Sequence, residues 1–438
     1  MKALISKNTI VLLMLLMTAA IAFGKAVSVT TEVDRPVIMA GQKQSVFLKV
    51  ALKGCDLDHL EQRTPVNVSI VIDKSGSMSG EKIEKAREAA ILALKRLKSS
   101  DIVSVVTYDN DVEVLVPATK MTKRNTIIRK IRSINANGGT ALYAGVKEGS
   151  EEVRKFLSKQ YANRVVLLSD GMANVGPDSP KALGKLGGEL VKKGISVSTV
   201  GLGLGYNEDL MSRLAFKSDG GHYFAERASE LASVFDKEFD RALSVVAQEV
   251  NIEIICGEGM RPVRILGREG QINGRRVNLD IQNIYSNHEK YAIIEVEIPA
   301  HSNGKVRQIA SVRVNYHDMR NDKKDKFGQG LDVSFCDSQA RVDSSMNKKV
   351  LADAVEQIAI ERNQLALEMR DEGRIEEAKS VLIENCDYLR SNADTLGSKK
   401  LKIYSAENSY DAENLSERDW GRQRKAMRES QDLRKSQR

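Results

Sequence analysis

The sequence predicts an α/β fold: a doubly wound, mostly parallel sheet of Rossmann-like form, joined to a β-sandwich-like module and a C-terminal helical hairpin. Two near-continuous apolar runs, at 68–72 and 165–168, carry the first part, because strands covered by helices on both faces need apolar side chains on both. Period-two segments after residue 248, and a change to helical period after Met346, carry the rest.

The elements follow in order along 438 residues, enough for two or three domains. Residues 1–24 read as a secretory signal: Lys2 and Lys7, an apolar core at 9–22, and Ala22-Phe23-Gly24 as a small-x-small cleavage pattern. The mature chain is then secreted or periplasmic; an uncleaved N-terminal membrane anchor is the alternative. No later run is long enough to span a bilayer. Residues 25–64 alternate as short strands that cannot bury a core alone. They are expected to join the β module at 248–340, so that the sheet-and-helix domain at 65–247 is inserted into one discontinuous β domain.

In that domain the first apolar run ends on Asp73, and Ser75 and Ser77 follow at alternate positions in a Gly-containing turn. Alone, this loop fits a helix cap as well as a ligand site. Two further segments add to it. N-A-N-G-G-T, ending on Thr140, is a Gly-rich loop opening a helix, and R-V-V-L-L-S-D-G is a second strand ending on Asp170. Ligands of doubly wound sheets collect at the carboxyl ends of the strands, so the three loops can converge. Oxygen donors without Cys or His suit Mg²⁺, Mn²⁺ or Ca²⁺ rather than zinc. Gly201, Gly203 and Gly205 lack the G-x-G-x-x-G spacing and read as a tight turn.

In the module at 248–340, strands near 250–255, 263–266, 277–281, 291–298 and 306–316 alternate with turn signals such as Asn273-Gly274. Residues 345–395 read as a helical hairpin broken at Asp371-Glu372-Gly373. Residues 398–438 lose apolar periodicity, and 421–438 hold seven basic against two acidic residues, which reads as a charged, mobile tail.

Several function classes are excluded. His59, His222, His288, His301 and His317 are scattered and read as exposed loop residues. His288-Glu289 opens like a zinc-protease motif, but Ala292 stands where the second histidine belongs. With no nucleophile elbow, P-loop or Cys-His signature, a binding role is favoured over catalysis. Net charge is +8, but 5% aromatics and no nucleic-acid motif leave acidic partners, or peripheral contact with anionic envelope components, as the implication. Cys256 and Cys336 share the β module and form the favoured disulfide among Cys55, Cys256, Cys336 and Cys386; free thiols are the alternative.

The constellation Asp-x-Ser-x-Ser, Thr, Asp-Gly resembles the metal-ion-dependent adhesion site of the von Willebrand factor type A domain family. I-S-V-S-T-V-G-L-G-L-G-Y-N-E-D-L and G-G-H-Y-F are similar to the last strands of such domains. The resemblance implies Mg²⁺, with Mn²⁺ or Ca²⁺ as alternatives, held by Asp73, Ser75, Ser77, Thr140 and Asp170. It also implies a protein partner whose Asp or Glu completes the shell, and a C-terminal helix at 228–247. Met78, Ser79, Asn137, Tyr143 and residues 172–175 are expected to rim the site. An adhesion or scaffold protein follows, with a regulatory subunit of a metal-dependent enzyme or transporter complex as the alternative. The whole order resembles secreted bacterial members and is broadly similar to the inter-alpha-trypsin inhibitor heavy-chain and calcium-activated chloride-channel regulator groups.

Overall fold

The computed structural model describes residues 25–57, 63–415 and 420–437; the expected signal segment and His59 lie outside them. Three strands come first: β1 (Val27–Val33), β2 (Val37–Met39) and β3 (Gln44–Gly54). The sheet-and-helix domain follows as β4 (Val66–Asp73), α1 (Glu81–Arg96), β5 (Ile102–Tyr108), β6 (Val112–Lys120), α2 (Arg124–Arg132), α3 (Leu142–Arg154), β7 (Ala162–Ser169), α4 (Pro180–Lys192), β8 (Ser196–Leu202), α5 (Glu208–Lys217), β9 (His222–Ala225) and α6 (Leu231–Leu243). Then come β10 (Val245–Cys256), β11 (Arg261–Leu266), β12 (Gln271–Asn273), β13 (Arg276–Tyr285), β14 (Glu289–Ile298), β15 (Val306–Asp318) and β16 (Lys323–Cys336). Five helices finish the chain: α7 (Gln339–Ser344), α8 (Lys348–Asp371), α9 (Ile375–Leu396), α10 (Lys399–Glu413) and α11 (Trp420–Lys435).

The central sheet runs β6-β5-β4-β7-β8-β9, parallel except for β6 against β5. Every residue of β4, β5, β7 and β8 is buried, as the continuous apolar runs require. One core lies under α1 and α6 (Ile70, Ala90, Phe235, Phe239), the other under α3, α4 and α5 (Val71, Val146, Leu186, Leu214).

The remaining strands make two antiparallel-rich sheets, β1-β3-β14-β11 and β12-β13-β10-β15-β16-β2, with Val46, Leu48, Ile252, Ile294 and Val312 between them. The N-terminal strands thus join strands far along the chain: β3 pairs with β14, Val46 beside Val296 and Val50 beside Ala292, and β2 pairs with β16, Val37 beside Ser334. The two crossings into the inserted domain lie together, because Thr64 Oγ1 donates to the Val245 carbonyl at 2.8 Å. Beside them Arg63 is buried against Asp101, at 2.5 and 3.0 Å.

Several expectations differ from the structure. The expected helix at 228–247 is a short 3-10 turn followed by α6, and Val245 already starts β10. The Cys256–Cys336 pair does not form and all four cysteines are free. Cys256 stands beside Ala310, which stands beside Leu331, so Cys336 is two strands across and five residues further on, roughly 15 Å along the strand. His222 is buried on β9 rather than exposed in a loop, with a ring nitrogen 2.9 Å from Thr199 Oγ1, and His317 is buried on β15.

Where a mobile tail was expected, α10 and α11 pack against the helical hairpin and the central sheet. Apolar contacts from Leu401, Tyr404, Ala412 and Met427 are supplemented by many ionic ones, which is why apolar periodicity fades. Arg424 bridges Glu208, Asp209 and Asp371, Arg428 reaches Asp209 at 2.8 Å, and Arg434 reaches Glu407 at 2.7 Å. Lys425 donates to the Tyr206 carbonyl at 2.9 Å. Two acids on the same helix take backbone N–H groups of β9: Asp432 from His222 and Glu429 from Phe224, each at 3.1 Å.

Asp411 on α10 is held by Asn363 of α8 and Gln423 of α11, and burial pushes its carboxyl up to about 6 against those hydrogen bonds. The neutral acid is favoured in the fold, so its stabilisation is full below an ordinary carboxylate pKa and lost as pH rises through about 6. Relative to wild type, Asp411→Asn is expected to gain roughly 2–3 kcal/mol between about pH 4 and pH 7.5. Denaturant midpoints at the two pH values check this, and a pH-independent difference contradicts it.

Candidate metal centre

Asp73 ends β4, and the pairing of Ile72 with Leu168 brings it alongside Ser169 at the end of β7. Ser169 Oγ donates to Asp73 Oδ2 at 2.6 Å, and the Ser75 N–H donates to Oδ1 at 2.8 Å, closing an Asx turn. Burial pushes the Asp73 carboxyl above the usual carboxylate range, opposed by the hydrogen bonds from Ser169 and Ser75. Ser75 Oγ lies 3.0 Å from Ser77 Oγ, and Ser77 Oγ donates to Asp170 Oδ1 at 2.7 Å. Lys82, in the first turn of α1, forms a salt bridge with Asp170 Oδ2.

Thr140 is placed by its two glycines. Gly138 has φ +78°, where a β-carbon is strained and would crowd the Asp109 side chain at 3.2 Å. A β-carbon on Gly139 would stand 2.5 Å from Asn110 Oδ1, the atom that accepts the Gly139 N–H at 2.9 Å. The loop is tied to the first by Asn137 N to Lys74 O at 2.7 Å and Gly76 N to Gly138 O at 3.0 Å. From the third loop, Asn174 Oδ1 accepts the Thr140 N–H at 2.8 Å, and Asn174 N returns a bond to the Thr140 carbonyl at 3.2 Å.

Asp73 is thus linked through the Ser75 N–H, and Ser75 through Ser77, to Asp170, while Thr140 and Ser77 both face the space beside Gly171. A β-carbon placed on Gly171 would come within 3.2 Å of Thr140 Oγ1 and 3.4 Å of Ser77 Oγ, so these two hydroxyls face a cradle that a β-carbon would narrow. The donor set is two carboxylates and three hydroxyls. Among the described residues no three His, Cys, Asp or Glu side chains gather in a metal-holding group. Such an all-oxygen set fits a hard divalent cation and lacks the nitrogen and sulfur donors zinc prefers.

Sequence reasoning missed Lys82, Ser169 and Asn110, while Asn174 falls in the expected rim at 172–175. Ser169 had a signal, standing one residue before Asp170; the others act through loop contacts that spacing does not encode. Met78, expected at the rim, is fully buried in the core under α1. Tyr143 is half-buried and packs against the opposite core. The apolar rim consists of Met172, Val175 and Leu204, 57%, 36% and 50% exposed. Leu204 is held there because Gly205 approaches the Asp170 carbonyl, 3.2 Å from where its β-carbon would be.

Residues 67–237 match the von Willebrand factor type A domain. The chain is 31% identical over 214 residues to the uncharacterized protein YfbK of Escherichia coli, covering 48% of this chain and 37% of that one. It is 28% identical over 236 residues to the uncharacterized protein sll0103 of Synechocystis, covering 54% and 55%. The chain thus spans about half or less of the curated relatives it matches first. Inter-alpha-trypsin inhibitor heavy chain H3 and calcium-activated chloride channel regulator 1 also match, over 204 and 191 residues. Among solved structures, a von Willebrand factor type A protein from Catenulispora acidiphila superposes with TM-score 0.72 at 15% identity, covering 94% of this chain and 97% of that one. The shared fold therefore includes the sandwich and the terminal helices.

Ser169→Ala removes the buried donor to Asp73 Oδ2. Unfolding in chelator should show a loss of about 1–2 kcal/mol; an unchanged midpoint would mean that the bond contributes nothing to the fold.

Proposed function

Because residues 67–237 form a von Willebrand factor type A domain, we propose that the protein is a divalent-cation-dependent, non-enzymatic protein-binding module, an adhesion or scaffold protein of the cell envelope or secretome. The observation that supports it most is the run of contacts from Asp73 through Ser75 and Ser77 to Asp170, with Thr140 Oγ1 and Ser77 Oγ facing the cradle at Gly171. These five residues would hold Mg²⁺, with Mn²⁺ and Ca²⁺ as chemically similar substitutes. When bound, the ion supplies an electrophilic position for an oxygen ligand from outside the chain.

The chain's own residues do the rest. Asp73, fixed by Ser169 and by the Ser75 N–H, is held as a donor that cannot swing away. Ser75, Ser77 and Thr140 offer neutral oxygens, which add no further negative charge and leave the ion an electrophile for a carboxylate of a partner. Met172, Val175 and Leu204 surround the position with exposed apolar surface. The partner that fits is a protein segment presenting Asp or Glu beside apolar side chains.

Lys2, Lys7 and the apolar segment at 9–22 support export with cleavage near Gly24, and among the described residues no helix is long and apolar enough to cross a membrane. Intact mass of the exported chain tests this part, since a retained Met1 would contradict it.

The binding reading is tested by affinity capture from envelope extract in Mg²⁺ and in EDTA, with wild type and Asp73→Ala. A partner held only by wild type in Mg²⁺ is expected, with the variant retaining its far-UV circular dichroism. Capture indifferent to both metal and substitution would overturn the proposal.

A further inference from the structure

Lys82 stands where its helix does not favour it. The first turn of α1 carries the positive end of the helix dipole, which stabilises the neighbouring Glu81 and Glu84 and disfavours an ammonium. Its side chain is nevertheless directed at Asp170, whose carboxylate is fully buried, while Lys82 itself keeps 39% of its surface in solvent. The four carboxylate oxygens of the centre are then all occupied: Asp73 by Ser75 N and Ser169 Oγ, Asp170 by Ser77 Oγ and Lys82 Nζ. With both aspartates ionised, two carboxylates and one ammonium leave a net charge of −1 around the cradle.

We propose that Lys82 is the residue that sets the charge of this centre, weakening its hold on the metal and strengthening its hold on the partner's carboxylate. The inference rests on the metal-dependent binding reading above. A divalent cation held by two carboxylates alone is neutralised, and a further carboxylate gains little by approaching it. With the Lys82 ammonium alongside Asp170, the loaded centre carries +1, and one incoming carboxylate cancels it. The same positive charge repels the cation and competes for Asp170 Oδ2. The two effects have opposite signs, and a purely structural lysine would not produce that pair.

The test is calorimetric titration of the full mature chain with Mg²⁺, in wild type, Lys82→Gln and Lys82→Arg, followed by fluorescence anisotropy with a labelled peptide bearing one Asp between leucines at saturating Mg²⁺. Lys82→Gln is expected to bind Mg²⁺ about tenfold more tightly and the peptide several-fold more weakly, while Lys82→Arg stays near wild type on both. In EDTA, Lys82→Gln should melt below wild type, because the buried Asp170 loses its ion-pair partner. Equal or weaker Mg²⁺ binding by Lys82→Gln in a folded variant overturns the role of Lys82 and leaves the metal reading standing. Failure of every version to bind Mg²⁺ overturns the metal reading, and this inference with it.

Discussion

Asp73 and Asp170 meet because β4 and β7 run parallel in one register, Val66 beside Ala162 through to Ile72 beside Leu168. Both strands are buried on both faces, so a slip of one residue would drive Asn67, Ser69 and Arg164 into the wrong apolar layers. The pairing also sets where every loop begins. Once Asp73 and Ser169 are side by side, the Asx turn, the glycine loop and the Asn174 contact need only a few backbone hydrogen bonds each.

The same strand ties the inserted domain to the sandwich. Arg164 on β7 is buried against Glu238 of α6 and donates to the Tyr285 hydroxyl of β13 at 2.9 Å. Glu238 also accepts from Ser198 at 2.6 Å and Tyr223 at 2.9 Å. Against a burial that alone would raise it, Arg164, Lys290 and Arg241 bring the Tyr285 phenol down to about 8. Breaking one partner of such a buried set costs far more than the pair itself contributes, so α6 and the sandwich are held as one unit.

Much of this was legible in the sequence where one residue type had one physical reason to be there. The runs at 68–72 and 165–168 spoke for strands covered on both sides, and Asp73, Ser75, Ser77, Thr140 and Asp170 for an oxygen-lined point at their ends. The alternation at 44–52 demanded partners on both edges; β1 supplies one and the distant β14 the other. Other parts were not legible because their cause is non-local. The second half of β16 alternates burial, but its charged, glycine-containing first half hides it from a periodicity reading. The carboxyl-terminal helices carry arginines whose acidic partners lie some 215 residues away. Met78 sits in a polar loop yet turns inward beneath α1, a direction that spacing alone does not give.

The seating of α11 along β9 limits how anything else can reach this sheet. His222 and Phe224 would offer unpaired N–H groups to a visiting strand, but Asp432 and Glu429 already take them. Recognition by strand addition is therefore closed on that side, and so is stacking of one copy's sheet onto another's through β9.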